Sequence, residues 1–194
     1  MRKNLLIRKL KEEVENCHNC NLHKGRKNVV FGSGNIYSKI LFIGEAPGKN
    51  EDEKGIPFCG KAGKILDNLL DLINLKRENI FITNVVKCRP PKNRKPKEEE
   101  IEKCKKYLEK QIEIINPKII CCLGEIALKF IFEKFKIKKK AKINEIHGKV
   151  IDVSEKKIIP LFHPAYAVYN PKKFEIMKKD FINLKDLLCL IFIF

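Results

Sequence analysis

The chain has 194 residues, 44% hydrophobic and 34% charged, with 41 Lys and Arg against 24 Asp and Glu and a formal net charge of +17. That length supports one domain with a sizeable core and is short for two, so a single domain over residues 1–194 is expected. The apolar stretch Leu187 to Phe194 is too short to span a bilayer and reads as a last helix turn or tail folded onto the body. The N-terminus lacks a continuous apolar segment, and a cytoplasmic protein without a membrane anchor is expected.

In chain order, Lys39 to Ile43 is a short apolar run stopped by Gly44, which predicts a buried strand. Residues 61–75 place Ile65, Leu66, Leu69, Leu70 and Ile73 on one face, hence a helix. Ile80 to Thr83 predicts a strand. Lys97 to Ile115, opened by Pro96 and three glutamates, predicts a helix. Lys118 to Leu123 predicts a strand, Glu125 to Phe135 a helix, Val150 to Val153 and Lys157 to Phe162 two strands, and Pro171 to Leu188 a closing helix. This alternation predicts the α/β class, with a mainly parallel central sheet between helical layers.

Gly44-Glu45-Ala46-Pro47-Gly48, Asn84, Gly124-Glu125 and His163-Pro164 each follow a predicted strand. In open α/β sheets the ligand crevice lies beyond the carboxyl ends of the strands, so these four motifs are expected to converge. Gly44, Gly48, Gly55, Gly60 and Gly63 let the backbone approach a ligand, and Phe58 stands among them as a loop anchor or a platform for a flat base.

Of eight cysteines, Cys121 and Cys122 lie in an apolar strand, and Cys59 and Cys189 have no cysteine at ligand spacing. Cys17-x2-Cys20 with Cys88 and Cys104 supplies four thiolates from two regions, a spacing that leaves zinc and iron–sulfur level. The positive charge bunches at Lys87, Arg89, Lys92, Arg94, Lys95 and Lys97, again from Lys134 to Lys142, and at Lys172, Lys173, Lys178 and Lys179, as expected of a surface for phosphates.

Taken together, Cys17-x2-Cys20, Gly44 to Gly48, Glu51-Asp52, Pro57-Phe58-x-Gly60-Lys61-Ala62-Gly63, Thr83 to Pro91, Cys104 and His163-Pro164-Ala165-Tyr166 resemble the fourth family of uracil-DNA glycosylases. The resemblance implies that family's three-layer α/β/α sandwich and a 4Fe–4S cluster on Cys17, Cys20, Cys88 and Cys104. It implies a monomeric enzyme that excises uracil from DNA and passes an abasic product to downstream base-excision repair enzymes. Glu45, Ala46, Pro47, Phe58, Asn84 and His163 would bind the base, with Glu45, Glu51 and His163 catalytic. Ala167, Val168 and Tyr169 depart from the family, which often has Leu, Leu and Arg there, and this leaves no evident large residue to wedge into the base stack. The rival readings are a non-catalytic DNA-binding module of the same fold and a zinc-stapled nucleotide-binding protein.

Overall fold

The computed structural model describes residues 2–138 and 141–192. Helix α1 (Arg2–Glu15) leads into a loop bearing Cys17 and Cys20, and the first strand is the two-residue β1 (Ser33–Gly34). There follow β2 (Ile40–Gly44), α2 (Lys49–Lys54), α3 (Lys61–Leu72), β3 (Phe81–Asn84), α4 (Glu98–Ile115), β4 (Ile119–Leu123) and α5 (Glu125–Lys134). The chain closes with α6 (Ile143–Ile146), β5 (Ile151–Val153), β6 (Lys156–Leu161), α7 (Ala165–Tyr169) and α8 (Pro171–Phe192).

The six strands form one sheet in the order β1-β3-β2-β4-β6-β5. The inner four are parallel, and β1 and β5 add antiparallel edges. Because side chains alternate along a strand, each strand feeds two cores. Leu41, Ile43, Ile120, Cys122 and Ile158 face one side, where they meet α1, α4 and α5 through Leu10, Val14, Tyr107, Leu108, Leu128 and Ile131. Ile40, Phe42, Ile119, Cys121 and Ile159 face the other, against Leu66, Leu69 and Leu70 of α3 and Met177, Phe181 and Leu184 of α8. The expected α/β/α layering and mainly parallel sheet are therefore present, and Cys121 and Cys122 are buried strand residues.

Several boundaries differ from those expected, each for a local reason. The helix expected to reach residue 75 ends at Leu72, because Asn74 turns left-handed (φ 54°) and the Leu75 N–H closes on the Leu70 carbonyl at 3.0 Å. Helix α8 runs past Leu188 to Phe192, so the apolar tail continues a helix as far as it is described; residues 193 and 194 lie outside the described residues. Among the described residues no helix is long and apolar enough to cross a membrane.

Candidate active site

Strand register brings the predicted motifs together. Gly44 pairs with Asn84 at the ends of β2 and β3, and beyond them the Val85 N–H donates to the Gly44 carbonyl (2.9 Å) and the Val86 N–H to that of Glu45 (3.2 Å). Gly44 has to be glycine: a Cβ there would stand 2.4 Å from Asn84 Oδ1 and 2.6 Å from Phe58 Cζ. Those distances place the Phe58 ring edge and the Asn84 amide over one backbone position. The Phe58 and His163 rings lie 5.5 Å apart, tilted by 31°. Four of the predicted residues, from β2, β3, the loop before α3 and the end of β6, thus meet at the carboxyl edge of the sheet.

Asn84 is buried, and its Oδ1 has no hydrogen-bond partner. A buried acceptor left unpaired costs about 1–3 kcal/mol, which makes this oxygen a candidate contact for a ligand. His163 accepts a hydrogen bond on Nδ1 from the Ala165 N–H (3.2 Å), so its neutral ring carries the proton on Nε2. Burial pulls its pKa down to about 4, which keeps that neutral form at pH 7. Glu45 is half-buried, and desolvation raises its carboxyl above the usual range against the pull of Lys95. Ala46 is half-buried beside it and Pro47 is buried, forming the wall between Glu45 and α2.

Glu51 is held differently. One carboxylate oxygen accepts the Gly48 N–H (3.1 Å) and the other the Gly60 N–H (2.8 Å), tying the start of α2 to the start of α3. Phe58 sits at φ 51° in the loop so braced. Arg77 donates to the carbonyls of Pro57 (3.1 Å) and Phe58 (2.5 Å) while its Nε holds Asp67. Arg77 was not anticipated from sequence; an arginine 19 residues from Phe58 carries no local signal of that role.

Cys17, Cys20, Cys88 and Cys104 all line one narrow, partly open pocket, together with Arg26, Lys87, Lys103 and Tyr107. Arg26 donates to Cys88 Sγ (3.2 Å) and to the Cys17 carbonyl (2.9 Å). Burial pushes the Cys20 and Cys88 thiols up and Cys104 to about 12, while the Arg26, Lys87 and Lys103 charges oppose this. Among the described residues no three Cys, His, Asp or Glu side chains are grouped tightly enough to hold a single metal ion.

The basic loop after Cys88 is partly as expected. Lys92, Lys95 and Lys97 are exposed, and Arg94 is anchored by a two-pronged pair with the buried Glu100 of α4 (2.8 and 2.6 Å). Lys87 corrects the expectation: it is 1% exposed and belongs to the interior. Its Nζ donates to Thr83 Oγ1, the Asn84 carbonyl and Gln111 Oε1, each at 2.7 Å. Around α7, Ala167 is buried, and Tyr166 stands exposed with the Lys173 ammonium 5.1 Å from its ring centre. Lys139 and Lys140 of the second basic run, and the side chain of Tyr169, lie outside the described residues.

Residues 31–185 match the model of the uracil DNA glycosylase superfamily. The chain is 46% identical over 179 residues to the type-4 uracil-DNA glycosylase of Archaeoglobus fulgidus, covering 90% of this chain and 89% of that one. It is 47% identical over 186 residues to the type-4 enzyme of Sulfurisphaera tokodaii, covering 93% and 84%. Against the type-4 enzyme of Thermotoga maritima the identity is 46% over 166 residues, covering 85% and 84%.

Proposed function

The chain belongs to the uracil-DNA glycosylase superfamily, and from that premise we propose that it repairs DNA by hydrolysing the bond between uracil N1 and deoxyribose C1′, leaving an abasic site. The observation that carries the reading is the unpaired, buried Oδ1 of Asn84 beside Phe58 and His163. Uracil in a duplex is out of reach of such an edge, so the nucleotide is extruded and its ring laid on Phe58. Uracil N3–H donates to Asn84 Oδ1, and the Asn84 amide NH₂ donates to O4.

As the C1′–N1 bond lengthens, its electron pair passes to the base and charge collects on O2. His163 Nε2–H, held outward because Nδ1 is occupied by the Ala165 amide, donates to that oxygen. A neutral donor suffices here, since it stabilises the anion without having to protonate it. Glu45, half-buried and backed by the ladder to Val86, orients the water that attacks C1′. Glu51, with both oxygens on backbone amides, acts by setting the Phe58 loop. Ala46 and Pro47 close the base-binding wall. No lysine stands in this set, so the reaction ends at the abasic site, which downstream repair enzymes must process.

Cys17, Cys20, Cys88 and Cys104 are proposed to hold a 4Fe–4S cluster, a reading supported by the four thiols lining one pocket and by the likeness to the type-4 enzymes. Bound there, the cluster supplies a covalent tie between the segment after α1, the loop after β3 and α4. The net charge of +17 suits a DNA partner. The deciding experiment incubates the purified protein with a uracil-containing oligonucleotide and cleaves abasic sites with alkali. Cleavage at uracil and none at thymine is expected; intact uracil strands with folded, iron-loaded protein would refute the proposal.

A further inference from the structure

Phe58 holds a backbone conformation that an aromatic residue rarely takes. Its φ of 51° lies in the left-handed region, where a bulky side chain persists only if its surroundings leave it no alternative. Arg77 supplies that constraint from the carbonyl side. Its Nη2 donates to the Phe58 carbonyl at 2.5 Å and its Nη1 to the Pro57 carbonyl at 3.1 Å, so one planar guanidinium fixes two consecutive peptide groups. The Nε–H is taken by Asp67 Oδ1 on α3 (2.5 Å), which aims the guanidinium at the loop. Arg77 also opens the turn into β3, its carbonyl accepting the Ile80 N–H at 3.3 Å, and β3 ends at Asn84. The stacking platform and the base reader are thus referred to one strand. Glu51 holds the other end of the loop through the Gly60 amide (2.8 Å).

We propose that Arg77 is a positioning residue for base excision: it locks Phe58 in its left-handed conformation and so fixes the ring against Asn84 and His163, with Asp67 acting only through Arg77. This rests on the uracil reading above. The hydrogen bonds of Arg77 all go to Asp67 and to the carbonyls of Pro57, Phe58 and Gly63, so its influence on the base passes through Phe58. Without the guanidinium, two loop carbonyls lose their donors and Phe58 is free to return to a common backbone conformation. That rotation carries the ring off the Gly44 position, where its edge now lies beside the Asn84 amide. Excision needs platform, reader and donor in register before the bond breaks, and a displacement of ~1 Å costs up to ~10²-fold in rate.

The test uses the full chain with Arg77→Met, Asp67→Asn and the two combined. The readouts are single-turnover excision of uracil from an oligonucleotide, inhibition by free uracil, affinity for the same strand without uracil, and amide hydrogen exchange across residues 57–60. Arg77→Met should slow excision ~10–100-fold and weaken inhibition by free uracil roughly tenfold, with affinity for uracil-free DNA unchanged and exchange faster in that loop alone. Asp67→Asn should give a smaller loss in the same direction. Because Asp67 acts through Arg77, adding it to Arg77→Met should cost nothing further, whereas two independent losses of stability would add. Arg77→Lys, a single ammonium that cannot bridge both carbonyls and Asp67 in one plane, should recover only part of the rate. Wild-type excision and uracil inhibition in Arg77→Met would overturn the proposal, and additive losses would overturn the part given to Asp67. Should Arg77→Met fail to fold, Asp67→Asn and Arg77→Lys decide, and wild-type uracil inhibition in both overturns it. A wild-type protein that leaves uracil in DNA sinks the uracil reading, while loop exchange still judges the lock: exchange unchanged in Arg77→Met overturns it.

Discussion

His163 joins two properties that are opposed in water: a strong donor and a ring that stays uncharged at neutral pH. Burial lowers its pKa to about 4, against 6.5 for the free side chain. Between those values the unfolded chain takes up a proton that the folded chain refuses, so stability falls as pH drops from about 6.5 toward about 4. His163→Gln should flatten that stretch of the pH–stability curve, measured by denaturant unfolding. His163→Ala should slow excision by ~10²–10³ while leaving DNA affinity near wild type, since it removes a donor to charge that develops in the transition state. Asn84 is tested by Asn84→Asp, which sets a carboxylate against uracil O4. That mismatch is worth ~1–3 kcal/mol, so uracil excision should fall roughly ten- to hundredfold, and cytosine, whose N4 amino group can donate, should lose nothing. Matched uracil and cytosine oligonucleotides under single turnover make the comparison. An unchanged uracil rate would mean that the base edge is read elsewhere.

At the scale of elements, the junction between the Phe58 loop and α3 is the tightest point near the site. A Cβ on Gly63 would stand 1.7 Å from the Phe58 carbonyl oxygen, so Gly63→Ala must push the loop away. Overpacking of this kind typically costs ~1–3 kcal/mol, and a lower melting temperature together with slower excision is expected. The main strands and long helices were legible in the sequence because burial on both faces leaves an unbroken apolar run, as at Ile40 to Ile43 and Ile119 to Leu123. Helix α1 was not expected. Its apolar residues Ile7, Leu10 and Val14 are scattered among charges, and their common face has meaning only against α4. The meeting of the Gly44 strand end with Phe58, Asn84 and His163 was legible, since each lies at a strand end or in a glycine-rich turn. The bracing was not: Arg77 on Phe58, the Gly60 amide on Glu51, and Lys87 on Gln111 are contacts across 9 to 24 residues that pattern does not encode. Sequence shows a charge but not where the fold points it, and Lys87 was therefore grouped with its exposed neighbours.

For the whole molecule, the excess charge should appear as salt dependence. Lys92, Lys95 and Lys97 are exposed on the loop tied to the cysteine pocket, and Lys172 and Lys179 are exposed on α8. If ~6 such groups meet phosphates, log affinity for undamaged DNA should fall with log salt at a slope of about −5. A flat response, read by fluorescence anisotropy, would leave the charge without a binding role.

The antiparallel strands at the two margins of the sheet have a consequence of another kind. β1 offers two residues and β5 three, whereas β6 behind β5 is six residues long and includes Ile158, Ile159 and Leu161. A sheet that ended at β6 would present a long apolar border of free N–H and C=O groups, a template on which a second molecule could add a strand. The short hairpin across Ser154 and Glu155 covers that border and itself leaves little to copy, with Asp152 and Lys157 paired across it at 2.5 Å. Excising residues 150–155 should therefore leave catalytic groups in place yet turn the protein toward self-association, visible by light scattering as particles that grow with concentration.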